Sequence, residues 1–148
     1  MGQQQLLLLV LGMVIVGIAV VAGIQAFSEG KAKADRDAAI SDAMRLISDI
    51  QAWELKPTAF GGGGGDEDFS TPQNGLTFQA LGIDPTKDDD PETEDKYETL
   101  SGCFTLTPGQ DAVLNVYLRD CTTQIATVTI EGTKTSDIKW EYTTSTSG

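Results

Sequence analysis

Histidine is missing from this chain and basic residues are scarce: Lys and Arg total 10 against 22 Asp and Glu, for a formal net charge of −12. Without imidazole the chain lacks the commonest general base and the commonest transition-metal ligand. The acidic excess is concentrated in the stretches Asp66–Asp68 and Asp84–Glu98. It repels phosphate backbones and anionic headgroups, and no basic patch offsets it, so nucleic-acid binding is not expected. No Ser or Cys nucleophile motif and no metal-ligand spacing occurs, so the expectation is a non-enzyme with no cofactor. Cysteine is nearly absent too. Its even count, Cys103 and Cys121, suits one disulfide made in an oxidising compartment, with two reduced buried thiols as the competing reading.

Charge is lacking altogether from Met1 to Ser28, and proline is lacking until Pro57. What fills this space is a nineteen-residue run, Leu6 to Ile24, with no polar side chain, preceded by Gln3, Gln4 and Gln5. As a helix it would reach about 28 Å, the thickness of a bilayer's hydrocarbon core. A cleaved signal peptide would need a basic n-region, and none is present. A single-span anchor or a helix that passes from membrane into a protein assembly remains. Gly12, Ala19 and Gly23 recur on related turns, with Gly17 and Ala22 beside them; such small residues let neighbouring helices approach closely.

From Lys31 to Leu55 the helical pattern continues, now amphipathic. Ala39, Ala43, Leu46, Ile50 and Trp53 recur at spacings of three and four, a stripe that needs a partner. Ser28 or Gly30 is the expected place for an interruption or a kink. Lys56-Pro57 stops the helix, because proline disfavours helical backbone in the residue before it. Gly61–Gly65 follows; with no G-x-x-x-x-G-K-[ST] pattern it reads as a flexible or tightly turning loop, or as bare backbone lying flat against a neighbour. Leu76 to Ile83 reads as a helical turn ending at Gly82, with Phe78, Leu81 and Ile83 plugging the core. Asp84 to Glu98 reads as an acidic loop, in which Asp88, Asp89 and Asp90 are candidate oxygen ligands for Ca²⁺.

From Cys103 onward the period becomes two. The predicted strands are Cys103–Thr107, Ala112–Leu118, Gln124–Ile130 and Asp137–Tyr142, separated by short turn signals that favour an antiparallel meander. One face must be covered, and the amphipathic helix has the matching stripe. The fold class is therefore α+β, a long N-terminal helix on a four-stranded antiparallel sheet. The organisation expected is 1–28 as the apolar half of the helix, 29–56 as its amphipathic half, 57–102 as a Gly-rich and acidic connection, and 103–148 as the sheet with its disulfide. Closing about eighteen residues with that bridge contributes about 3 kcal/mol in the chain-entropy picture.

The layout resembles the type IV pilin family: a short polar start, the run Leu6-Leu7-Leu8-Leu9-Val10-Leu11-Gly12-Met13-Val14-Ile15-Val16-Gly17-Ile18-Ala19, an amphipathic extension, and a Cys-containing sheet. In sequence only the N-terminal third carries the resemblance. It implies a subunit held in the inner membrane as a precursor, then extracted by a pilus assembly machinery into an extracellular homo-oligomeric filament with the N-terminal helices at its core. The assembly residues it implies are Met1, Gln5, Leu6, Leu9, Gly12, Ile15, Gly17, Ala19 and Gly23. Two departures stand out. Gln5 occupies the place where the family usually has a Glu that pairs with a neighbour's N-terminal amine, and the family's helix-kinking proline is absent. Lys31, Lys33 and Arg36 flank the apolar run and by the positive-inside tendency favour a cytoplasmic domain, against the disulfide; a removed basic leader before Met1 reconciles the two. A pseudopilin of a type II-like secretion system, or a single-span membrane protein with a binding β-domain, are the alternative readings.

Overall fold

The computed structural model describes residues 2–70, 75–85 and 95–143. Two compact units divide the chain, Met1–Ala34 and Asp35–Gly148. One helix, α1 (Gly2–Leu55), is followed by five strands: β1 (Asp95–Glu98), β2 (Gly102–Thr107), β3 (Ala112–Leu118), β4 (Gln124–Ile130) and β5 (Ile138–Tyr142). They form one sheet in the order β1-β2-β3-β4-β5 with every neighbouring pair antiparallel, an open meander.

In the second unit α1 covers one face of this sheet. Ala39, Ala43, Leu46, Ile47, Ile50 and Trp53 are all buried, and they meet Phe104 and Leu106 of β2, Leu114 and Val116 of β3, and Val128 and Ile130 of β4 in one core. The helix approaches β2 closely: a Cβ on Gly102 would lie 3.1 Å from Ala39 Cβ and 2.5 Å from Tyr117 O. Strand alternation sends polar residues to the other face. There Asn115 donates to Thr105 Oγ1 (3.3 Å) and accepts from Gln124 (3.1 Å) and Thr127 (3.2 Å), a ladder suited to water. Alternation breaks once. The β3–β4 register shifts between Val116 and Tyr117, pairing Val116 with Ala126 and Tyr117 with Gln124, so Ile125 is the extra residue of a bulge. Ile125 and Ala126 are consequently both buried.

The helix runs without interruption through Ser28 and Gly30, where a break was one expectation. The sheet has five strands where four were expected. The additional strand β1 lies inside the acidic stretch read as loop, because Asp-Lys-Tyr-Glu offers a single apolar side chain and no visible alternation. Tertiary context makes it a strand: Glu98 pairs with Cys103 and Tyr97 with Phe104, and the Tyr97 ring sits 5.6 Å from Phe78 and 6.2 Å from Phe104. β5 starts at Ile138, one residue later than predicted, since Asp137 closes a short 3₁₀ turn over Thr135–Asp137. Residues 76–83 make the expected terminal turn, with Ile83 N–H donating to Phe78 O at 2.9 Å and Gly82 in the left-handed region at φ 78°. Phe78 and Leu76 are fully buried there.

Candidate functional site

The apolar segment of α1 has no partner surface within its own unit. From Leu6 to Phe27 every large apolar side chain is between 49% (Val10) and 77% (Phe27) exposed. This is the one helix among the described residues long and apolar enough to cross a membrane, with a window of mean hydropathy 3.0 and none of it buried. Gln5, Leu6, Leu9, Gly12, Ile15, Gly17, Ala19 and Gly23 all lie on it, exposed. Added Cβ atoms at Gly12, Gly17 or Gly23 would meet nothing within 4 Å, so the fold of a single chain does not require glycine at these positions. Gly17, Ile18, Val21, Ala22 and Gln25 instead outline a shallow apolar depression on the helix surface. Met1 lies outside the described residues.

The two cysteines are joined as a disulfide with Cα atoms 5.3 Å apart. Cys103 is buried on β2, and Cys121 sits in the β3–β4 turn, slightly before β4 rather than at its start. Asp120 builds that turn. Its carboxylate accepts from the Thr123 hydroxyl (2.7 Å) and from the N–H groups of Thr123 (3.0 Å) and Thr122 (3.2 Å). These bonds, the Thr123 hydroxyl first, hold the Asp120 carboxyl down at about 2. The turn places Cys121 at φ 56°, in the left-handed region. Glu98 approaches the bridge, with Oε1 3.6 Å from Cys121 Sγ, and pairs with Lys96 at 2.9 Å. Ligand atoms of Glu98, Cys103 and Cys121 fall within 4.8 Å of one another. Both sulfurs are spent on each other, so no thiolate is available and the group is not a metal centre in this state. Asp88, Asp89 and Asp90, the calcium candidates, lie outside the described residues.

Sequence reasoning missed what the glycine run does. Gly61–Gly65 folds back over the C-terminal end of α1 and supplies donors to its open carbonyls. Gly63 N–H donates to Trp53 O (3.0 Å), Gly64 N–H to Lys56 O (3.0 Å) and Gly65 N–H to Glu54 O (2.8 Å). Bare backbone is needed for this approach. A Cβ on Gly62 would lie 2.1 Å from Lys56 O, and one on Gly63 2.0 Å from Glu54 Oε2. The signal was present in Gly61–Gly65 itself, whose expected readings were a flexible or tightly turning loop or, alternatively, bare backbone lying flat against a neighbouring subunit. Its true partner is the chain's own helix end.

No protein-family model matches the chain, and no curated protein or solved structure matches it either.

Proposed function

We propose that the chain is a structural subunit of a type IV pilus-like filament, held in the inner membrane through its apolar helix segment and then polymerised outside the cell through the same segment. The observation that carries this reading is the uncharged stretch Leu6–Ile24, helical throughout and exposed along its whole length. Lipid and a bundle of like helices are both apolar, so one segment serves in each; transfer between them exchanges lipid contact for side-chain packing. Gly12, Gly17 and Gly23, which the single chain does not need, are accounted for by close helix approach in the assembled fibre. Gln5 takes the place of the family's carboxylate, and there a neutral amide hydrogen-bonds a neighbour's terminal amine without forming an ion pair. The domain formed by the sheet and the amphipathic helix half is the outward-facing body in this reading, and its disulfide and polar sheet face suit an oxidising, aqueous surrounding.

The test is microscopy of purified material and of cells producing it. Long fibres whose cores contain the N-terminal helices are the expected result. Short fibres confined to a secretion machine would favour the pseudopilin alternative. A detergent-solubilised monomer that never assembles would defeat the proposal and leave a single-span anchored binding domain.

A further inference from the structure

At the C-terminal end of α1, Glu54 is fully buried, the sole charged-type side chain so enclosed among the described residues. Its Oε1 accepts the Glu67 N–H at 3.0 Å, whereas its Oε2 is buried without a hydrogen-bond partner. The carboxyl lies flat on Gly63, beside the Trp53 ring, whose Cζ3 would be 3.0 Å from a Cβ placed there. Its surroundings are unfavourable to a second negative charge. Along α1 itself the helix ends here, with its carbonyl-rich terminus and the exposed Lys56 two residues on. From the covering loop come Asp66, Glu67 and Asp68. From the β4–β5 connection come Glu131, Lys134 and Asp137; Asp137 Oδ2 and, from the covering loop, Glu67 Oε1 converge on Gly132, 2.8 and 3.2 Å from its would-be Cβ. Lys139 pairs with Glu131, so that cation is already engaged. Burial raises the Glu54 carboxyl above the ordinary range; Asp66 and Asp68 add to this, and the N–H groups of Glu67 and Gly65 only partly oppose it.

We propose that Glu54 is a proton-operated latch for the glycine cap. In its neutral form it seats Gly61–Gly65 on the end of α1; ionised, it releases residues 61–68 from that end. The charged form is disfavoured while enclosed, because Oε1 alone is met by a donor, the Glu67 N–H, and Oε2 is buried with none, so ionisation weakens the seating that the three backbone bonds of the cap provide. Releasing the loop rehydrates the carboxylate and gives up the Gly63, Gly64 and Gly65 donors to α1. The proton binds to the closed form and leaves in the open one, so cap stability falls as pH rises above the ordinary glutamate value of about 4.3. The latch does not depend on the filament reading.

Amide hydrogen exchange on the full chain in detergent micelles tests it. Exchange at Gly63–Glu67 is measured from pH 5 to 9, corrected for intrinsic rates and normalised to the amides of β3 and β4. Wild type should lose about tenfold in relative protection across that range, and Glu54→Gln should lose less than about twofold. A constant ratio in wild type, or an equal loss in the Gln variant, overturns the proposal. Should Glu54→Gln leave the loop unprotected even at pH 5, carbon-detected titration of the wild-type Glu54 carboxyl decides. A midpoint at the ordinary value overturns the latch, and a higher midpoint coincident with loss of protection supports it.

Discussion

Replacing the five glycines one at a time by alanine should reveal a steep positional pattern. At Gly62 the new Cβ would sit 2.1 Å from Lys56 O, 2.5 Å from Lys56 Cβ and 2.6 Å from Lys56 C. Two of those are backbone atoms of the residue just after α1 and cannot swing aside. Forced overpacking of this kind costs about 1–3 kcal/mol, and losing a cap hydrogen bond adds about 1 kcal/mol. Gly62→Ala is therefore expected to cost about 2–4 kcal/mol. At Gly61 and Gly65 a Cβ meets nothing within 4 Å, and only the left-handed backbone (φ 79° and 81°) resists. That strain is worth about 1–2 kcal/mol. The assay is urea and thermal unfolding of the segment Asp35–Gly148, which contains every buried core residue among the described ones. For a unit of this size the Gly62 cost lowers the midpoint by about 10–20 °C, roughly twice the drop at Gly61 or Gly65. If the run were a free linker, equally mobile in the folded and unfolded chain, alanine would restrict both alike and change stability little at every position. Equal or favourable effects at Gly61, Gly62 and Gly65 would refute the cap.

Three further outcomes follow from the same geometry. Cys103→Ser should lower the stability of the Asp35–Gly148 segment by about 3 kcal/mol, the value for a bridge spanning 18 residues, and reductant should do the same to wild type; an unchanged midpoint in both would show the bridge contributes nothing. Asp120 has its folded pKa depressed, so the hold it exerts on the Cys121 turn is complete above the ordinary aspartate value and is lost only as pH falls through about 2; amide shifts of Thr122 and Thr123 followed by NMR should report that midpoint, and one near the unperturbed value would contradict the hydrogen-bond pattern. Gly12→Leu and Gly17→Leu should block fibre formation in electron micrographs while leaving the thermal midpoint of the second unit unchanged, and normal fibres from either variant would remove close helix approach from the proposed function.

How much of this was legible depended on how local the cause was. β3 and β4 were read to the residue, because alternation such as Ala112-Val113-Leu114-Asn115-Val116 records which side chains face a core. The helix stripe from Ala39 to Trp53 was legible for the same reason: Ala39, Ala43, Leu46, Ile50 and Trp53, which its periodicity marked, are all buried, and Ile47 joins them. β1 was not legible. Its strand character comes from β2 alongside it and from Tyr97 lodged between Phe78 and Phe104, contacts that join residues far apart in sequence. Glu54 was invisible for a different reason: a carboxylate at the end of an amphipathic helix ordinarily faces water, and only the folded-back glycines enclose it. Composition announced an unusual loop at Gly61–Gly65 but could not say which surface the bare backbone would meet.

The apolar segment poses the remaining question, since the core does not use it. Every buried residue among the described ones lies at or after Ala39. Fifteen large apolar side chains from Leu6 to Phe27 contribute nothing to that core. At about 1 kcal/mol each, a conservative figure for completing burial of side chains already partly screened by their helix, they represent about 15 kcal/mol of unsatisfied hydrophobic free energy. That equals or exceeds the whole stability of an ordinary domain, about 5–15 kcal/mol. A segment with so large a deficit in water has to be met by an apolar medium, either lipid or other helices. Lipid alone would be served as well by alanine at positions 12, 17 and 23, where glycine sacrifices about 1 kcal/mol of helix propensity per site. On the proposed reading, close approach of further copies of the same helix accounts for glycine at these positions, where a Cβ would meet nothing within the single chain.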